Sequence, residues 1–221
     1  GNTGFKGSWL TAWLTKLGAK IIGVSKNIPT NPSIFEELKL EGQIKHYKED
    51  IRDLSKMIDI ISNEKPDFVF HLAAQPLVLT SYTDPIETIS SNVMGTANIL
   101  EAMKTLNNKC TAIIITSDKA YDNVEQVLGY KEDDKLGGKD IYSGSKGAAE
   151  LIIKSYYHSF LKDFFWHPNA LAFIFVCQIS INSVFQLVFI HDSLNHLIAY
   201  TVPPYYFQNK YFDLIIQRFK R

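Results

Sequence analysis

A tyrosine and a lysine four residues apart, Tyr142 and Lys146, are the pair of side chains in this sequence best suited to chemistry. Residues at positions i and i+4 of a helix share one face, so the phenol and the ammonium would be neighbours. A nearby positive charge favours the phenolate and lowers the pKa of a tyrosine toward the range of a working base. Chance pairs with this spacing are common, so a solvent-exposed surface pair is the alternative interpretation.

A hydroxyl, an acid and an ammonium follow one another at Ser117, Asp118 and Lys119, directly after the apolar run 112–116. If that run is a buried parallel strand, these side chains lie at its carboxyl end, where ligands bind in open sheets. Together they could orient a sugar hydroxyl and move protons. Ser and Asp also favour turns, so a capped turn is the alternative.

Three glycines with the spacing G-x-x-G-x-x-G, namely Gly1, Gly4 and Gly7, precede an apolar pattern of helical period. Glycines at this spacing allow a tight turn and a close approach to a pyrophosphate, which the N–H groups opening the next helix would bind. An ordinary glycine-rich turn is the alternative. Such a loop normally follows a strand, and none precedes Gly1, so we expect the chain to lack that first strand. The loop favours the catalytic interpretation of Tyr142 and Lys146.

The elements that would position these groups alternate along the chain. Apolar runs predict strands at residues 20–24, 44–48, 68–72 and 112–116, and the intervening segments predict helices at residues 8–17, 34–40, 53–64, 85–105 and 143–161. This alternation predicts βαβ units and a Rossmann-like, doubly wound parallel sheet of the α/β class. Trp9 and Trp13 are predicted to be core, and His71 to be a buried, hydrogen-bonded histidine.

Composition excludes some classes of function. The chain has 23 basic and 23 acidic residues, so no overall charge indicates nucleic acid or a membrane surface as partner. Cys110 and Cys177 lie in apolar surroundings, which favours buried free thiols and a cytoplasmic protein. No cluster of His, Cys, Asp and Glu has metal-ligand spacing, so no metal site is predicted.

The segment 164–221 differs from the rest, because all 12 glycines fall at or before Gly147. We therefore predict a domain boundary near Asp163, with an incomplete NAD-binding domain at 1–163 and an atypical, aromatic-rich tail at 164–221. Residues 171–190 carry no charge and are long enough to span a bilayer, but their polar side chains weaken that interpretation. A frameshift or fused reading frame near residue 163 is a further hypothesis.

Five segments resemble, in the right order, the extended short-chain dehydrogenase/reductases: GNTGFKG at 1–7, HLAAQ at 71–75, NVMGT at 92–96, SDK at 117–119 and YSGSK at 142–146. Within this NAD-dependent epimerase/dehydratase family, the chain looks most like the CDP-glucose 4,6-dehydratases. That likeness comes from GNTGFKGSWL at 1–10, PTNPSIFE at 29–36, AAQPLV at 73–78 and TSDKAYDN at 116–123. The resemblance covers residues 1–163.

The resemblance implies an NAD-dependent lyase that removes water from a nucleotide sugar, which is a step in deoxysugar synthesis for lipopolysaccharide O-antigen. Tyr142 would take the proton of the sugar 4-hydroxyl, and Lys146 would lower the tyrosine pKa and bind the nicotinamide ribose. Ser117 would hydrogen-bond the 4-oxygen. Asp118 would protonate the leaving 6-hydroxyl, while Lys119 would assist at C5. The family also suggests a homodimer packed through the helices near 85–105 and 143–161.

The same resemblance implies which residues hold the cofactor. Asp50 would contact the adenine, although an acid at a helix N-terminus is the alternative. Asn92 would distort its helix behind the active site, although a solvent-facing residue is the alternative. The complete implied set is Gly1, Thr3, Gly4, Phe5, Gly7, Asn27, Asp50, Ile51, Leu72, Ala73, Ala74, Gln75, Asn92, Thr116, Tyr142 and Lys146.

Two departures from the family pattern affect these expectations. Neutral Asn27 stands where an acid usually accepts from the adenosine ribose, so NAD is less firmly favoured over NADP. The family's R-x-G-N and G-G-D-W-like segments for the nucleotide sugar are absent after residue 163. An inverting UDP-N-acetylglucosamine dehydratase, which also uses an Asp-Lys pair, is an alternative. A non-catalytic remnant or a membrane-associated fragment is another, and we expect this chain as written to be impaired.

Overall fold

The computed structural model describes residues 1–161 except positions 109, 127, 128 and 132, and also the backbone of strands at 174–176, 188–192 and 196–200. The chain forms two compact units, Gly1–Cys177 and Gln178–Arg221. The domain boundary near residue 163 stays a prediction. Most of the uncharged segment 171–190 lies outside the described residues. Within those residues, no helix has the length and apolar character to cross a membrane.

The first unit contains two parallel sheets. Strand β1 (Ile22–Val24) pairs with β2 (Lys45–Tyr47), and β4 (Thr111–Ile115) pairs with both β3 (Phe68–His71) and β5 (Ile174–Val176). Gly1 lies between the two sheets, because its nitrogen is 2.5 Å from the Val24 carbonyl oxygen and its Cα packs against Ala73. In the second unit, β6 (Val188–Asp192) and β7 (His196–Tyr200) form an antiparallel pair.

Seven α-helices are found in the described part of the chain, and in the first unit they alternate with the strands as predicted. They are α1 (Phe5–Lys16), α2 (Ile34–Glu37), α3 (Leu54–Glu64), α4 (Val78–Thr83), α5 (Pro85–Ile89), α6 (Gly95–Met103) and α7 (Ile141–Tyr156). Parallel strands joined through helices confirm the α/β, Rossmann-like class.

Local signals explain where several helices begin and end. Asp53 caps α3 by accepting from the Lys56 N–H, and Asp84 caps α5 by accepting from the Glu87 N–H at 2.9 Å. Gly18 follows α1 with a φ of +84°, a conformation that favours glycine. All three signals are local properties of the sequence.

Helix α1 buries a different face from the predicted one. Trp9 is 48% exposed and Leu17 is 45% exposed, so the prediction that Trp9 is core was wrong. The buried residues of α1 are Gly7, Ser8, Thr11 and Leu14. Small side chains let this helix approach the glycine loop closely, and that contact decides which face turns inward.

The predicted helix 85–105 is not continuous. A π-helical segment, Ser90–Met94, separates α5 from α6. Such segments insert one residue into the helical repeat and occur often at functional sites. Asn92 lies in its centre and is 2% exposed, so the solvent-facing alternative for this residue was wrong.

Two apolar clusters hold the first unit together. The larger one joins α3 and α6 to the sheets: Ile51, Met57, Ile60, Ile61, Ile99, Ala102, Met103, Leu106, Cys110 and Ala112. The smaller one joins α6, β4 and α7: Leu100, Ile114, Ile153 and Leu161. His71 is buried beside them, and its Nε2 is 3.1 Å from the Thr96 Oγ1, as predicted for a core histidine.

Candidate active site

The glycine loop packs so tightly that two of its positions exclude a side chain. A Cβ on Gly7 would lie 2.0 Å from the Gly1 carbonyl oxygen, and a Cβ on Gly1 would lie 2.6 Å from the Ala73 nitrogen. Gly4 is the N-cap of α1 and supplies no side-chain cap, and no acid stands in the first turn. The start of α1 therefore keeps N–H groups and positive potential for an anion.

Buried Asn92 joins the segment after β3 to α7. Its Oδ1 accepts from the Gln75 N–H at 2.8 Å, and its Nδ2 donates to the Gln75 carbonyl at 3.2 Å and to the Ser145 Oγ at 2.9 Å. Ser145 lies between Tyr142 and Lys146 on α7. The π-helical segment thus fixes the HLAAQ segment and the tyrosine-lysine helix relative to each other.

Tyr142 and Ser117 lie close together at the carboxyl end of β4, where the Ser117 hydroxyl is within hydrogen-bonding reach of the phenol. Burial raises the pKa of Tyr142, and the charges of Asp118 and Asp140 raise it as well, whereas the Ser117 hydrogen bond lowers it. The net direction is upward. The ammonium of Lys146 lies 5.8 Å from the ring centre. That this ammonium lowers the pKa of Tyr142 stays a prediction.

Lys146 is a buried cation, only 6% exposed. Burial lowers its pKa to about 8, the charge of Lys6 lowers it too, and the charge of Glu150 raises it. No hydrogen bond or ion pair of this ammonium is found among the side chains that the structure describes. Its donors are thus available to a ligand hydroxyl at this site.

The remaining members of the predicted catalytic set follow Ser117 directly. Asp118–Ala120 form a short 3₁₀ turn, in which the Ser117 Oγ accepts from the Lys119 N–H and donates to the Asp118 Oδ1 at 3.1 Å. The charge of Asp118 also acts on Lys6 of the glycine loop, whose pKa burial lowers. Ser117, Asp118, Tyr142, Lys146 and the glycine loop therefore surround one region.

The predicted adenine end of the site is lined by charges that neutralise one another. Asp50 accepts from the Arg52 Nε and Nη2 at 3.0 and 2.6 Å, and Arg52 also pairs with Glu87. Asp53 rather than Asp50 caps α3, so Asp50 belongs to the loop between β2 and α3. Asn27 is exposed, and its carbonyl accepts from the Thr3 hydroxyl at 2.7 Å.

Three further residues of the predicted cofactor-binding set differ from one another in exposure and in contacts. Phe5 is 71% exposed, while Ile51 is buried and packs against the position where a Cβ on Gly95 would point. The Thr116 hydroxyl donates to the Glu150 carboxylate on α7 instead of facing the open site.

Sequence reasoning missed Glu150 and Lys6, both of which act electrostatically on Lys146. The signal for Glu150 was its place one helical turn after Lys146 and two turns after Tyr142. Lys6 stands inside the glycine motif and is brought to the site by the first turn of α1. No group of His, Cys, Asp and Glu that could hold a metal ion occurs in the described ranges.

Comparisons with known proteins agree with this geometry. The family model of GDP-mannose 4,6-dehydratase matches residues 1–164. The CDP-glucose 4,6-dehydratase of Salmonella typhimurium is 51% identical over 160 residues, which are 72% of this chain and 45% of that relative. The CDP-paratose 2-epimerase of Salmonella typhi is 30% identical over 173 residues, covering 71% of this chain and 51% of that relative. The chain thus spans about half the length of these curated relatives.

Solved structures share the fold. UDP-glucose 4-epimerase from Thermotoga maritima, with UDP-glucose, has a TM-score of 0.67 and 23% identity over 80% of this chain and 53% of its own. UDP-glucuronic acid 4-epimerase from Bacillus cereus, with UDP-glucuronic acid and NAD, has a TM-score of 0.64 and 25% identity over 79% of this chain and 53% of its own.

Proposed function

Because this chain belongs to the GDP-mannose 4,6-dehydratase family, we propose that it is an NAD-dependent nucleotide-sugar 4,6-dehydratase whose substrate is CDP-glucose. The observation that carries the proposal is the meeting of Tyr142, Ser117 and buried Lys146 at the carboxyl end of β4, beside the glycine loop. The 51% identity to a CDP-glucose 4,6-dehydratase supports the choice of nucleotide and sugar.

The residues of the glycine loop fit a dinucleotide. Gly1 and Gly7 leave a cradle that a Cβ would fill, and the uncapped start of α1 can bind a pyrophosphate. Lys146 can donate to ribose hydroxyls, and Asp50 lies at the loop assigned to the adenine. NAD is also the cofactor named with the Bacillus cereus epimerase. When bound, NAD accepts a hydride from the sugar and returns it later.

Around that cofactor, the chain would supply placement and proton transfer. The Tyr142 oxygen accepts the proton of the sugar 4-hydroxyl, and Ser117 hydrogen-bonds the 4-oxygen. Oxidation at C4 acidifies the hydrogen on C5, so that water can leave across C5 and C6. Asp118 gives a proton to the departing 6-hydroxyl, and Lys119 assists at C5. The product is a 4-keto-6-deoxy sugar nucleotide.

Loss of water from candidate sugar nucleotides tests the proposal directly. The chain is incubated with NAD and either CDP-glucose or UDP-N-acetylglucosamine, and the masses of the products are measured by mass spectrometry. Loss of one water from CDP-glucose supports the proposal. Loss only from the UDP sugar favours the inverting dehydratase, the alternative that the Asp118-Lys119 pair leaves open. If NAD binds but neither sugar loses water, the chain is a dinucleotide-binding remnant.

A homodimer is the second part of the proposal. A cavity of about 510 Å³ opens between α5 and α7, where Ile89, Val93, Ile141 and Ala148 line it. Further exposed apolar side chains lie one turn away, since Ile86 is 72% exposed and Leu151 is 55% exposed. Grouped apolar side chains of this size indicate an interaction surface, and a second copy of this chain would cover them.

We also place the protein in the cytoplasm. Cys110 is a free thiol, 2% exposed, and burial raises its pKa to about 12. An inert, reduced thiol of this kind suits a reducing compartment. Cys177 lies outside the described residues.

A further inference from the structure

Glu150 makes a second connection between the end of β4 and α7, beside the one between Ser117 and Tyr142. Its carboxylate accepts a hydrogen bond from the buried hydroxyl of Thr116, the residue that follows β4. The side chain of the next residue, Ser117, forms a hydrogen-bonding interaction with that of Tyr142. Two consecutive residues after β4 are therefore tied to two positions of α7 that lie eight residues apart.

The surroundings of Glu150 contain one cation to match its charge. Burial raises the pKa of Glu150, whereas the Thr116 hydrogen bond and the charge of Lys146 lower it. In return, the charge of Glu150 raises the pKa of Lys146. The charge of Lys6 of α1 opposes that of Lys146. Two further titratable groups lie near: Tyr142, whose ring centre is 5.8 Å from the ammonium, and His71 of β3, which burial keeps neutral.

A carboxylate is a costly way to fill this position if the role is only structural. A glutamine amide could accept from Thr116 equally well, without the free-energy cost of burying a charge. The charge has a use here because Lys146 is itself buried and has no hydrogen-bonding or ionic partner among the described side chains. Glu150 lies one turn away on the same helix face.

We propose that Glu150 is a positioning residue that aligns α7 with the carboxyl end of β4 through Thr116 and keeps the Lys146 ammonium charged for binding the cofactor ribose. The part about the ribose rests on the proposed function. The part about Lys146 and α7 concerns the chain alone and can be measured without any ligand.

The test follows the titration of Lys146 in Glu150→Gln. Competitive acylation over a pH series, read by mass spectrometry of the Lys146 peptide, gives the pKa of this lysine in each variant. Without the carboxylate, we expect that pKa to fall by about half a unit to one unit. NAD affinity, measured by calorimetry near pH 8, should then weaken about two- to fivefold because a smaller fraction of Lys146 is charged, with a smaller loss near pH 6.5.

Two variants separate charge from packing. Glu150→Asp keeps the charge and should leave the titration of Lys146 near that of wild type. A purely structural role would instead leave Glu150→Gln harmless, because the amide can still accept from Thr116. Glu101→Gln is the matched control, because Glu101 also accepts from a hydroxyl, that of Tyr156 at 3.1 Å, but lies away from Lys146. It should change neither measurement.

A different result would refute each part of the proposal. If Lys146 titrates alike in wild type, Glu150→Gln and Glu101→Gln, the positioning role is wrong. If the pKa of Lys146 falls as expected in Glu150→Gln but wild type does not bind NAD, the positioning role stands and the proposed function fails. Should Glu150→Gln not fold, Thr116→Val tests the alignment: it should weaken NAD binding, and Thr116→Ser should restore it. Unchanged NAD binding in Thr116→Val would overturn the alignment.

Discussion

At the scale of single residues, the protonation of Tyr142 depends on its neighbours more than on Lys146. Burial and two aspartates raise its pKa, and the hydrogen-bonding interaction with Ser117 lowers it. For Tyr142 to accept a proton, its pKa must therefore fall, which happens when further hydrogen-bond donors or positive charges reach the phenol oxygen. The i, i+4 spacing identified the pair but could not show how deeply the phenol is buried.

Asp140→Asn is expected to lower the pKa of Tyr142. Asp140 caps α7 by accepting from the Ser143 N–H at 2.9 Å, and asparagine caps a helix about as well, so the fold should be kept. Removing the negative charge should lower the tyrosine pKa by about half a unit. Ultraviolet titration of tyrosinate, with Tyr142→Phe subtracted, measures the shift. Asp59→Asn, on the exposed side of α3, is the charge-matched control; an equal shift there would show a general charge effect.

At the scale of elements, the helix that contains Asn92 holds two loops and the end of strand β3 in place. Asn92 holds Gln75, Thr96 meets His71, and Asn98 donates to the carbonyls of Ile51 and Arg52. The π-helical segment rotates these side chains into place. One broken helix therefore sets the segments after β2 and β3 and, through Ser145, the position of α7.

Asn92→Ala should destabilise the fold by about 2–3 kcal/mol, because it leaves the buried N–H and carbonyl of Gln75 without partners. The free energy of unfolding in urea measures the loss. Asn63→Ala, on the exposed surface of α3, is the control and should stay within about 0.5 kcal/mol of wild type. Equal effects of the two substitutions would contradict the clamp described for Asn92.

Much of this element scale could be predicted from sequence, and the exceptions have physical causes. Apolar runs located the strands and most helices well, because hydrophobic period is a local property. The short helix α4 was missed, since Val78–Thr83 is rich in residues with low helix propensity. The partial burial of Glu150 was also missed, because a charged residue within a helix normally faces solvent.

At the scale of the whole molecule, stability should fall as the solution becomes acidic below about pH 6.5. Burial lowers the pKa of His71 to about 3, so the folded chain keeps it neutral while the unfolded chain takes up a proton below the ordinary value of 6.5. Stability is therefore full above that value and is lost toward pH 3, by at most about 1.4 kcal/mol per pH unit.

Urea unfolding of wild type and His71→Gln at pH 7.5 and pH 5 measures this loss. The substitution should reduce the difference between the two pH values, whereas His158→Gln, an exposed control, should not. Part of the pH dependence should persist in His71→Gln, because burial also lowers the pKa of His46. An unchanged difference in His71→Gln would contradict the assignment to His71.

The proposed homodimer gives a prediction at the same scale. Ile86→Lys places a charge in the apolar surface between α5 and α7, so light scattering should show a monomer where wild type is a dimer. The unfolding midpoint of the separated chain should change little, because Ile86 is 72% exposed. Leu17→Lys alters an equally apolar side chain, 45% exposed on the far end of α1, and should leave the dimer intact. A wild-type monomer would refute the proposed dimer.

The π-helical segment Ser90–Met94 also has a consequence for how the gene can change. Because the segment carries one residue more than an α-helical turn, loss of a single codon there would restore ordinary helical pitch. Residues downstream, such as Thr96 and Asn98, would keep their rotation about the helix axis, because the segment already holds the extra residue. The side chains inside the segment would instead shift by one position, and Asn92 would leave Gln75 and Ser145. Selection should therefore remove single-codon deletions in this short segment from functional copies of the gene more often than it removes most point substitutions.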